Sequence, residues 1–324
     1  MGTKDGREEG SAKNLGFDAA SYTALAGFDS DWRDTWWHQD TLELMARRLG
    51  FGEARRVLDV GCGAGHWGQR LSTLLPPDAE VVGVDHEPAF LEAARERAER
   101  FPHAFTYREG DALALPFEDD RFDLVTCQTV LIHVADAAAA LREMARVTRP
   151  GGLVLAAEPN NLANALLFEL GEPEAPFEAI VERLRFARAC IAGKRALGQG
   201  DATVGERLLL LMQDLGLAAP EVYKNDRCAR WLPPYDTPAE RLQVAQLAST
   251  EGMEAGLFGD RATTERLYRA GGGDPARFDA LWEGARARDR EVRAAVEAGT
   301  YRTTGGLSMY LAAGRKPAAQ PEDG

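Results

Sequence analysis

Short apolar runs and amphipathic segments alternate along the first half of the chain. Helical periodicity predicts helices over residues 65–75, 88–100 and 136–147. The apolar runs between them have the length and composition of buried strands, and they cover residues 57–60, 81–85, 104–108, 122–126 and 153–157. Because strands that alternate with helices form parallel sheets covered on both faces, this half of the chain predicts an α/β fold.

The pattern is mainly helical after residue 158. Amphipathic helices are predicted over residues 160–195 and 205–215, and a helical region over 238–299 is interrupted by three glycines. Two further strand-like runs lie at about 220–226 and 306–314. The second half therefore adds helices, and two strands, to the α/β unit.

Composition narrows the classes of function. At 324 residues and 45% hydrophobic content, the chain can bury a sizeable core. A net charge of −13 argues against a nucleic-acid partner. Four cysteines without a C-x-x-C pair indicate neither a disulfide framework nor a zinc site, so no metal is predicted and a cytoplasmic location is expected. No apolar stretch predicts a targeting or membrane segment.

The first strand runs directly into three alternate glycines, Gly61, Gly63 and Gly65. Glycine at such positions permits a tight turn and lets a ligand come close to the backbone. A dinucleotide-binding fingerprint would place its third glycine at position 66, where this chain has His66. The turn predicts a nucleotide-type ligand but does not by itself identify which one.

With Asp59 two residues before the first glycine, this turn resembles motif I of the class I S-adenosyl-L-methionine-dependent methyltransferases. The resemblance continues in register over residues 55–158, through Asp85 after the second strand and Asp111 after the third. It implies a Rossmann-like, seven-stranded, mostly parallel sheet with helices on both faces. The last two strands, about 220–226 and 306–314, would form an antiparallel pair.

The resemblance also implies a division of the chain. Residues 1–50 would form an N-terminal helical lid, and 51–160 the core that binds the cofactor. Residues 161–316 would supply helices on the substrate side together with the last two strands, and 317–324 a disordered tail. The helical insertions are larger than in simple members of the family, and acceptor specificity is expected to lie there.

Roles toward S-adenosyl-L-methionine follow from the same resemblance. Asp85 would accept both ribose hydroxyls, His86 would stack on the adenine ring, and Asp111 with Ala112 would meet the adenine edge. The glycine turn and the start of the next helix would hold the methionine carboxylate. The other predicted cofactor residues are those near the methionine end and within the turn: Asp59, Gln128, Tyr22 and Cys62, the last with a steric role.

Methyl transfer from a sulfonium requires mainly that the acceptor atom is aligned with the methyl group and that water is excluded. A base is needed only if the acceptor atom carries a proton when it binds. His133, after the fourth strand, is one base candidate, although it could instead only cap a turn. His38 is the second candidate. The segment around His133 lacks the N/D-P-P-Y/F pattern of enzymes that methylate exocyclic or amide nitrogens.

An aromatic segment lies near the N-terminus, at residues 22–40. It predicts either a helix packed into the core or a lid over the cofactor, with Trp36 and Trp37 facing the acceptor. On the opposite side, the side chains predicted to complete the acceptor pocket are Tyr223, Arg230, Tyr235 and Tyr301. For Arg230, an ordinary salt bridge is the alternative.

Three further patterns, at residues 131–136, 146–152 and 110–117, are most similar to enzymes that methylate quinones, sterols and bacterial secondary metabolites. The resemblance implies methyl transfer to oxygen, nitrogen or carbon of a small molecule, with a homodimer as one form of assembly. Two alternatives stay open. One is a non-methylating member of the fold that still binds the cofactor, and the other is a vestigial binding module.

Overall fold

The computed structural model describes residues 23, 24, 26–28, 30–170, 175–251, 255, 256, 258–305 and 307–318. Its centre is a seven-stranded sheet with the order β3-β2-β1-β4-β5-β9-β6. The strands are β1 (Arg56–Val60), β2 (Glu80–Asp85), β3 (Ala104–Glu109), β4 (Phe122–Gln128), β5 (Thr148–Pro159), β6 (Ala218–Lys224) and β9 (Met309–Arg315). A separate small hairpin pairs β7 (Ala255–Gly256) with β8 (Gly259–Asp260).

The first five strands are parallel, and β9 runs antiparallel to both β5 and β6. The predicted fold class is therefore confirmed, with the last two strands shifted slightly from their predicted bounds. The strand order reverses between β1 and β4. The chain places β2 and β3 on one side of β1 and continues with β4 on its other side. In open α/β sheets, ligands bind outside the carboxyl ends of the strands at such a reversal.

Ten α-helices surround the sheet in the described part of the chain. They are α1 (Gln39–Leu49), α2 (His66–Ser72), α3 (Pro88–Ala98), α4 (Ala137–Val147), α5 (Asn161–Leu170), α6 (Phe177–Ala196), α7 (Leu208–Asp214), α8 (Pro238–Ser249), α9 (Arg261–Ala270) and α10 (Phe278–Glu297). Short 3-10 helices lie at Asp31–Trp36, Phe51–Glu53, Val204–Arg207 and Pro275–Arg277. None of the described helices is long and apolar enough to cross a bilayer.

Helix boundaries follow local chemistry. Gly65 has a φ of 83°, so α2 begins only at His66 and not at residue 65 as predicted. Asp136 caps α4, with its Oδ1 accepting the Ala139 N–H at 2.9 Å. The region predicted as helical over 238–299 contains the β7–β8 hairpin, and the predicted break near residue 272 separates α9 from α10.

At the C-terminal end, the chain remains attached to the sheet through Lys316, whose backbone N–H donates to the Gly152 carbonyl at 3.0 Å. Residues 317 and 318 are described. The predicted tail from 319 onward, like the first 22 residues, lies outside the described part of the chain.

Both faces of the sheet are covered by amphipathic helices. On α1 the buried residues recur at helical spacing, and on α4 Leu141, Met144 and Val147 are fully buried. These stripes belong to two separate apolar clusters, one with α1 and α2 and the other with α4 and α7. A parallel sheet sandwiched in this way is stabilised mainly by burial of apolar surface.

The inserted helices have an apolar cluster of their own, formed by residues of α6, α9 and α10 and the segments beside them. Gly193 of α6 and Gly271 after α9 lie at the crossing of those helices. A Cβ on Gly193 would overlap the Leu267 carbonyl, and one on Gly271 would overlap the Ala189 carbonyl. Backbone contact at this crossing fixes the position of the last turn of α6.

Candidate active site

The glycine turn that follows β1 is closely covered by two other segments. Gly61 and Gly63 have φ angles of 63° and 51°, in the region that favours glycine. A Cβ on Gly61 would lie 2.5 Å from Val130 Cγ2, and one on Gly63 would lie 2.8 Å from Phe28 Cζ. The loop after β4 and the N-terminal segment therefore both press against this turn, and only glycine fits between them.

Cys62, inside the turn, has a buried side chain. Its side chain joins a small apolar cluster with Leu91, Ala94 and Tyr107, and burial raises the pKa of its thiol well above the usual value. A neutral buried thiol is a packing group, and the steric role of Cys62 toward the cofactor stays a prediction.

Asp59, near the end of β1, is a buried carboxylate with one unused oxygen. Its Oδ2 accepts the Gly68 N–H at 2.9 Å, which ties the strand to α2. Its Oδ1 is buried and has no hydrogen-bond partner among the described residues. Burial raises the pKa of this carboxyl to about 7. An ammonium group is the kind of partner that would satisfy Oδ1.

Asp85 ends β2 beside the turn, as predicted. Its Oδ2 accepts the Gly63 N–H at 2.8 Å and its Oδ1 accepts the Glu87 N–H at 3.0 Å. Each carboxylate oxygen retains a second lone pair, so the side chain can also accept a pair of hydroxyls. His86 follows it with a half-exposed imidazole, whose Nδ1 lies 3.4 Å from Asp85 Oδ1.

Asp111 and Ala112 lie just after β3, at the same edge of the sheet. Asp111 is exposed and its Oδ1 accepts the Leu113 N–H at 2.8 Å. Ala112 is partly buried against the apolar cluster of α4. The geometry leaves Asp111 Oδ2 available, and the predicted contact with an adenine edge stays a prediction.

Gln128, the last residue of β4, has a buried Nε2 without a hydrogen-bond partner among the described residues. Asp59 Oδ1 is a hydrogen-bond acceptor and Gln128 Nε2 is a donor. One acceptor and one donor therefore stay unsatisfied beside the glycine turn, where no Cβ fits. Native proteins rarely leave such atoms unpaired. This acceptor and this donor fit the amino-acid end of S-adenosyl-L-methionine, and the Asp85 carboxylate fits its ribose.

The loop after β4 is held by Glu158, a fully buried residue near the end of β5. Its carboxylate accepts the backbone N–H groups of three successive residues, Val130, Leu131 and Ile132, at 2.8, 2.8 and 3.3 Å. Burial raises the pKa of Glu158 to about 7. Three donors converging on one carboxylate give this loop a fixed shape.

His133 lies at the end of that loop, partly buried. Burial, followed by the positive charges of Lys194 and Arg33, lowers the pKa of its imidazole well below the usual range. The ring is therefore neutral at neutral pH. Lys194 Nζ is 3.5 Å from His133 Nδ1 and donates to the Ile132 carbonyl at 2.8 Å.

The N-terminal segment lies over the glycine turn. Phe28 packs on Gly63, and Arg33 Nη2 donates to Thr129 Oγ1 at 2.7 Å. Asp34 accepts a charge-assisted hydrogen bond from Arg97 and lies 3.3 Å from His66 Nδ1. The segment therefore covers the turn, and its action as a lid stays a prediction. Tyr22 lies outside the described residues, and its contact with the cofactor also stays a prediction.

Packing dominates the surroundings of the two adjacent tryptophans of this segment. Trp37 is 2% exposed and packs on Trp67 at 5.8 Å between ring centroids. Trp36 is buried between Trp32 and the guanidinium of Arg33. Both alternatives from the sequence are therefore represented, a core-packing end and a covering end, and substrate contact by Trp36 and Trp37 remains a prediction.

His38 lies elsewhere, in a groove of about 650 Å³ between the N-terminal segment and α8. Its Nδ1 is 2.5 Å from Asp226 Oδ2, and its side chain is 54% exposed. Arg230 lines the same groove and lies 3.5 Å from the buried carboxylate of Glu240, the salt bridge that the sequence offered as an alternative. The groove lining includes neither the glycine turn nor residues 128–133, so the structure does not bring the two base candidates together.

The three tyrosines predicted for the acceptor pocket fall into two places. Tyr235 donates from its hydroxyl to the Tyr301 carbonyl at 2.9 Å, and both rings pack on Trp231. Tyr223 lies on the outer strand β6, hydrogen-bonded to Glu221 and beneath Arg48. Their contact with an acceptor stays a prediction.

Three residues of this site escaped the sequence analysis: Arg33, Glu158 and Lys194. Glu158 could have been found, because a carboxylate follows the fifth apolar run as Asp85 follows the second. Lys194 carried a weaker signal, as one of only five lysines in a chain whose other cationic side chains are arginines. Nothing in the sequence pairs Arg33 with the loop after β4.

Comparison with known proteins agrees with this geometry. Residues 57–152 match the family model of a methyltransferase domain. Demethylmenaquinone methyltransferases of Halalkalibacterium halodurans and Staphylococcus aureus are 39% and 37% identical over 124 and 121 residues, 38% and 37% of this chain. The match spans about half of those relatives, 49% and 50% of their length.

A solved structure from Galdieria sulphuraria, described as a candidate sarcosine dimethylglycine methyltransferase, shares the fold with a TM-score of 0.50. It is 16% identical, and the match covers 93% of this chain and 99% of that one. At that identity the likeness concerns the fold alone. The domain match and the glycine turn lead to one conclusion: residues 57–152 belong to a methyltransferase domain of the class I, S-adenosyl-L-methionine-dependent type.

Proposed function

We propose that the whole protein transfers a methyl group from S-adenosyl-L-methionine to a small-molecule acceptor. The observation that carries the proposal is the pair of unsatisfied buried atoms, Asp59 Oδ1 and Gln128 Nε2, beside a turn closed to any Cβ. An unpaired buried polar group costs about 1–3 kcal/mol, so a ligand that pairs with both atoms would be stabilised at this site.

The cofactor supplies an electrophilic methyl group on a sulfonium, so the protein's task is to bind, align and exclude water. Asp59 and Gln128 would hold the amino-acid end, and Asp85 the ribose. Phe28 and Arg33 cover the turn and shield it from solvent. Glu158 fixes the loop that faces the expected acceptor position.

His133 is the residue on that loop with proton chemistry. Because its pKa is lowered, the imidazole is neutral at neutral pH and retains one nitrogen lone pair. The sequence analysis proposed that it takes a proton from an acceptor that arrives with its proton in place. That role as a base stays a prediction.

We place the acceptor among small ring-containing molecules of the quinone type, in bacterial secondary metabolism. The support is the 37–39% identity to enzymes named for demethylmenaquinone. These matches cover only 38% and 37% of this chain.

Isothermal titration with S-adenosyl-L-methionine and S-adenosylhomocysteine tests the donor half of the proposal. Incubation of bacterial metabolite extracts with methyl-labelled cofactor then tests transfer. Binding followed by a labelled product supports a methyltransferase. Binding without any labelled product would favour a non-methylating member of the fold, and absence of binding would refute the proposal.

A further inference from the structure

Lys194 is a buried cation that has no carboxylate at salt-bridge distance among the described residues. The residue is 8% exposed, and its Nζ has two neighbours at hydrogen-bond distance, the Ile132 carbonyl oxygen at 2.8 Å and His133 Nδ1 at 3.5 Å. No carboxylate of the described residues lies within salt-bridge distance of it, and its third N–H finds no partner there. Burial of an unpaired charge is unfavourable unless an anion joins it.

The surrounding structure holds this ammonium in place. Gly193, the preceding residue, is locked against the backbone of α9, as described above. On the other side, Gly200 packs its backbone against Ile132 and His133, where a Cβ would clash. Lys194 is thus presented by a rigid helix end to a loop that Glu158 also holds.

The contact between Lys194 and His133 favours one tautomer of the imidazole. An ammonium can only donate, so a hydrogen bond here requires an unprotonated Nδ1 and places the proton on Nε2. In this tautomer His133 offers an N–H donor through Nε2. Such a ring stabilises negative charge on an oxygen better than it removes a proton.

We propose that Lys194 and His133 together bind the ionised oxygen of an acidic hydroxyl, a phenol or an enol, on the acceptor. This inference rests on the proposed function and specifies its substrate class. The hydroxyl proton leaves to water when the acceptor binds. The acceptor's electron pair then forms the bond to the methyl carbon, and the carbon–sulfur bond pair stays on sulfur.

The charges balance in this scheme. An anionic acceptor and a cationic sulfonium become two neutral products. If a ring carbon conjugated with the oxygen is the attacking atom, that carbon afterwards loses its proton to water while the oxygen regains one. The methylated hydroxyl or phenol no longer carries the charge that Lys194 attracts, which favours product release.

Lys194 is expected to have a large effect on the ionisation of a bound phenol. A phenol has a pKa of about 10, so only about one molecule in a thousand is ionised at pH 7. A cation within hydrogen-bond distance lowers such a pKa by about 1–3 units. Lys194 would thereby raise the ratio of ionised to neutral phenol at the site by about ten- to a thousandfold.

Other charges around the pair are consistent with this role. Burial lowers the pKa of Lys194 to about 8, against the opposing influence of Glu158 and Asp201. The side chain is therefore mainly charged at pH 7. Arg33 and His86, on neighbouring segments, further disfavour a charged His133.

The test uses the full chain and 4-nitrophenol, whose phenolate is coloured. With S-adenosylhomocysteine bound, the phenol is titrated across pH and the apparent pKa of the bound probe is compared with that of the free probe. The wild-type protein should lower it by at least about one unit. Lys194→Met should abolish the shift, whereas Lys194→Arg should keep it. Lys316→Met, which removes a lysine from the amino edge of the sheet, should leave it unchanged.

Two outcomes overturn the inference: an equal shift in Lys194→Met, or wild-type protein that binds S-adenosylhomocysteine but no phenolate. A protein that fails to bind S-adenosylhomocysteine refutes the proposed function instead. A second measurement covers the case of a variant that folds poorly. Nitrogen NMR of the wild-type protein should find the proton of His133 on Nε2, and a proton on Nδ1 would contradict the arrangement.

Discussion

Arg33 Nη2 donates a hydrogen bond to Thr129 Oγ1 at 2.7 Å, although 96 residues separate the two in the chain. Thr129 has a φ of 56°, unusual for a residue other than glycine. The same guanidinium stacks over Phe28 and Trp36. One side chain thus joins the N-terminal segment to the loop that faces the expected acceptor.

This contact predicts that Arg33→Ala weakens cofactor binding by about tenfold, with most of the loss in the dissociation rate. The reason is that a hydrogen bond from a charged group contributes about 1.5–3 kcal/mol, part of which would be spent on holding the segment closed. Stopped-flow release of S-adenosylhomocysteine measures the rate.

The control for that experiment is Arg100→Ala. Arg100 pairs with Asp31 of the same N-terminal segment, but both side chains are at least half exposed, and such pairs contribute little. Equal release rates for the two variants would show that Arg33 does not hold the segment.

Asp85→Ala should reduce the affinity for S-adenosyl-L-methionine by about 1.5–3 kcal/mol, the range for losing hydrogen bonds to a charged group. Titration calorimetry measures this change. Because Asp85 also accepts the Gly63 N–H, circular dichroism and thermal unfolding of the variant are needed to show that the turn persists. An unchanged affinity in a folded variant would remove Asp85 from the cofactor site.

Asp59 predicts a pH dependence of cofactor binding. Its pKa is raised to about 7 by burial, and the ammonium of the cofactor pairs only with the ionised form. Binding therefore favours deprotonation, so affinity should be full above about pH 7 and fall up to tenfold for each pH unit below it. Calorimetry near pH 6 in buffers of different ionisation enthalpy should detect release of about one proton.

Asp59→Asn is the matched variant for this dependence. The pKa of Asp85 is also raised by burial, and Asp85 is retained in the variant. The difference between the two proteins therefore reports mainly Asp59, whose pKa the charge of Asp85 also raises. If wild type and Asp59→Asn release the same number of protons, the ammonium does not bind at Asp59.

Gly61→Ala should both lower the melting temperature and abolish cofactor binding. The substitution adds backbone strain of about 1–2 kcal/mol at a positive φ and places a methyl group against Val130. Gly198→Ala separates these effects, because Gly198 also has a positive φ of 70° but no described atom lies within 4 Å of its added Cβ. Differential scanning calorimetry with and without cofactor makes the comparison, and equal losses in the two variants would mean that strain alone matters.

The sequence predicted well those features that depend on local pattern. The five parallel strands, the glycine turn and the helix beginning at Pro88 all follow from periodicity and from residues whose backbone preference is strong. Asp59 and Asp85 could be identified because each lies within two residues of the glycine turn or at the end of its neighbouring strand. In these cases the ligand-facing position is set by the strand itself.

Contacts between distant segments could not be predicted. The approach of Lys194 to His133 depends on how α6 crosses α9, and Gly193 and Gly271 give no sign in the sequence that they meet. His38 pairs with Asp226, which is 188 positions away in the chain. This predicted base therefore lies in a different place from His133. A single sequence carries no information about which helix end reaches which loop.

The separate apolar cluster of α6, α9 and α10 has an evolutionary consequence. Its buried residues come from positions 187 to 282. They form a cluster that is separate from the two clusters on the faces of the sheet. Substitutions can therefore accumulate in this unit without loosening the part of the protein that handles the methyl donor. Descendants of one ancestral enzyme could in this way acquire new acceptors while inheriting the donor half unchanged. The last turn of α6 contacts both parts, so its residues must stay compatible with both.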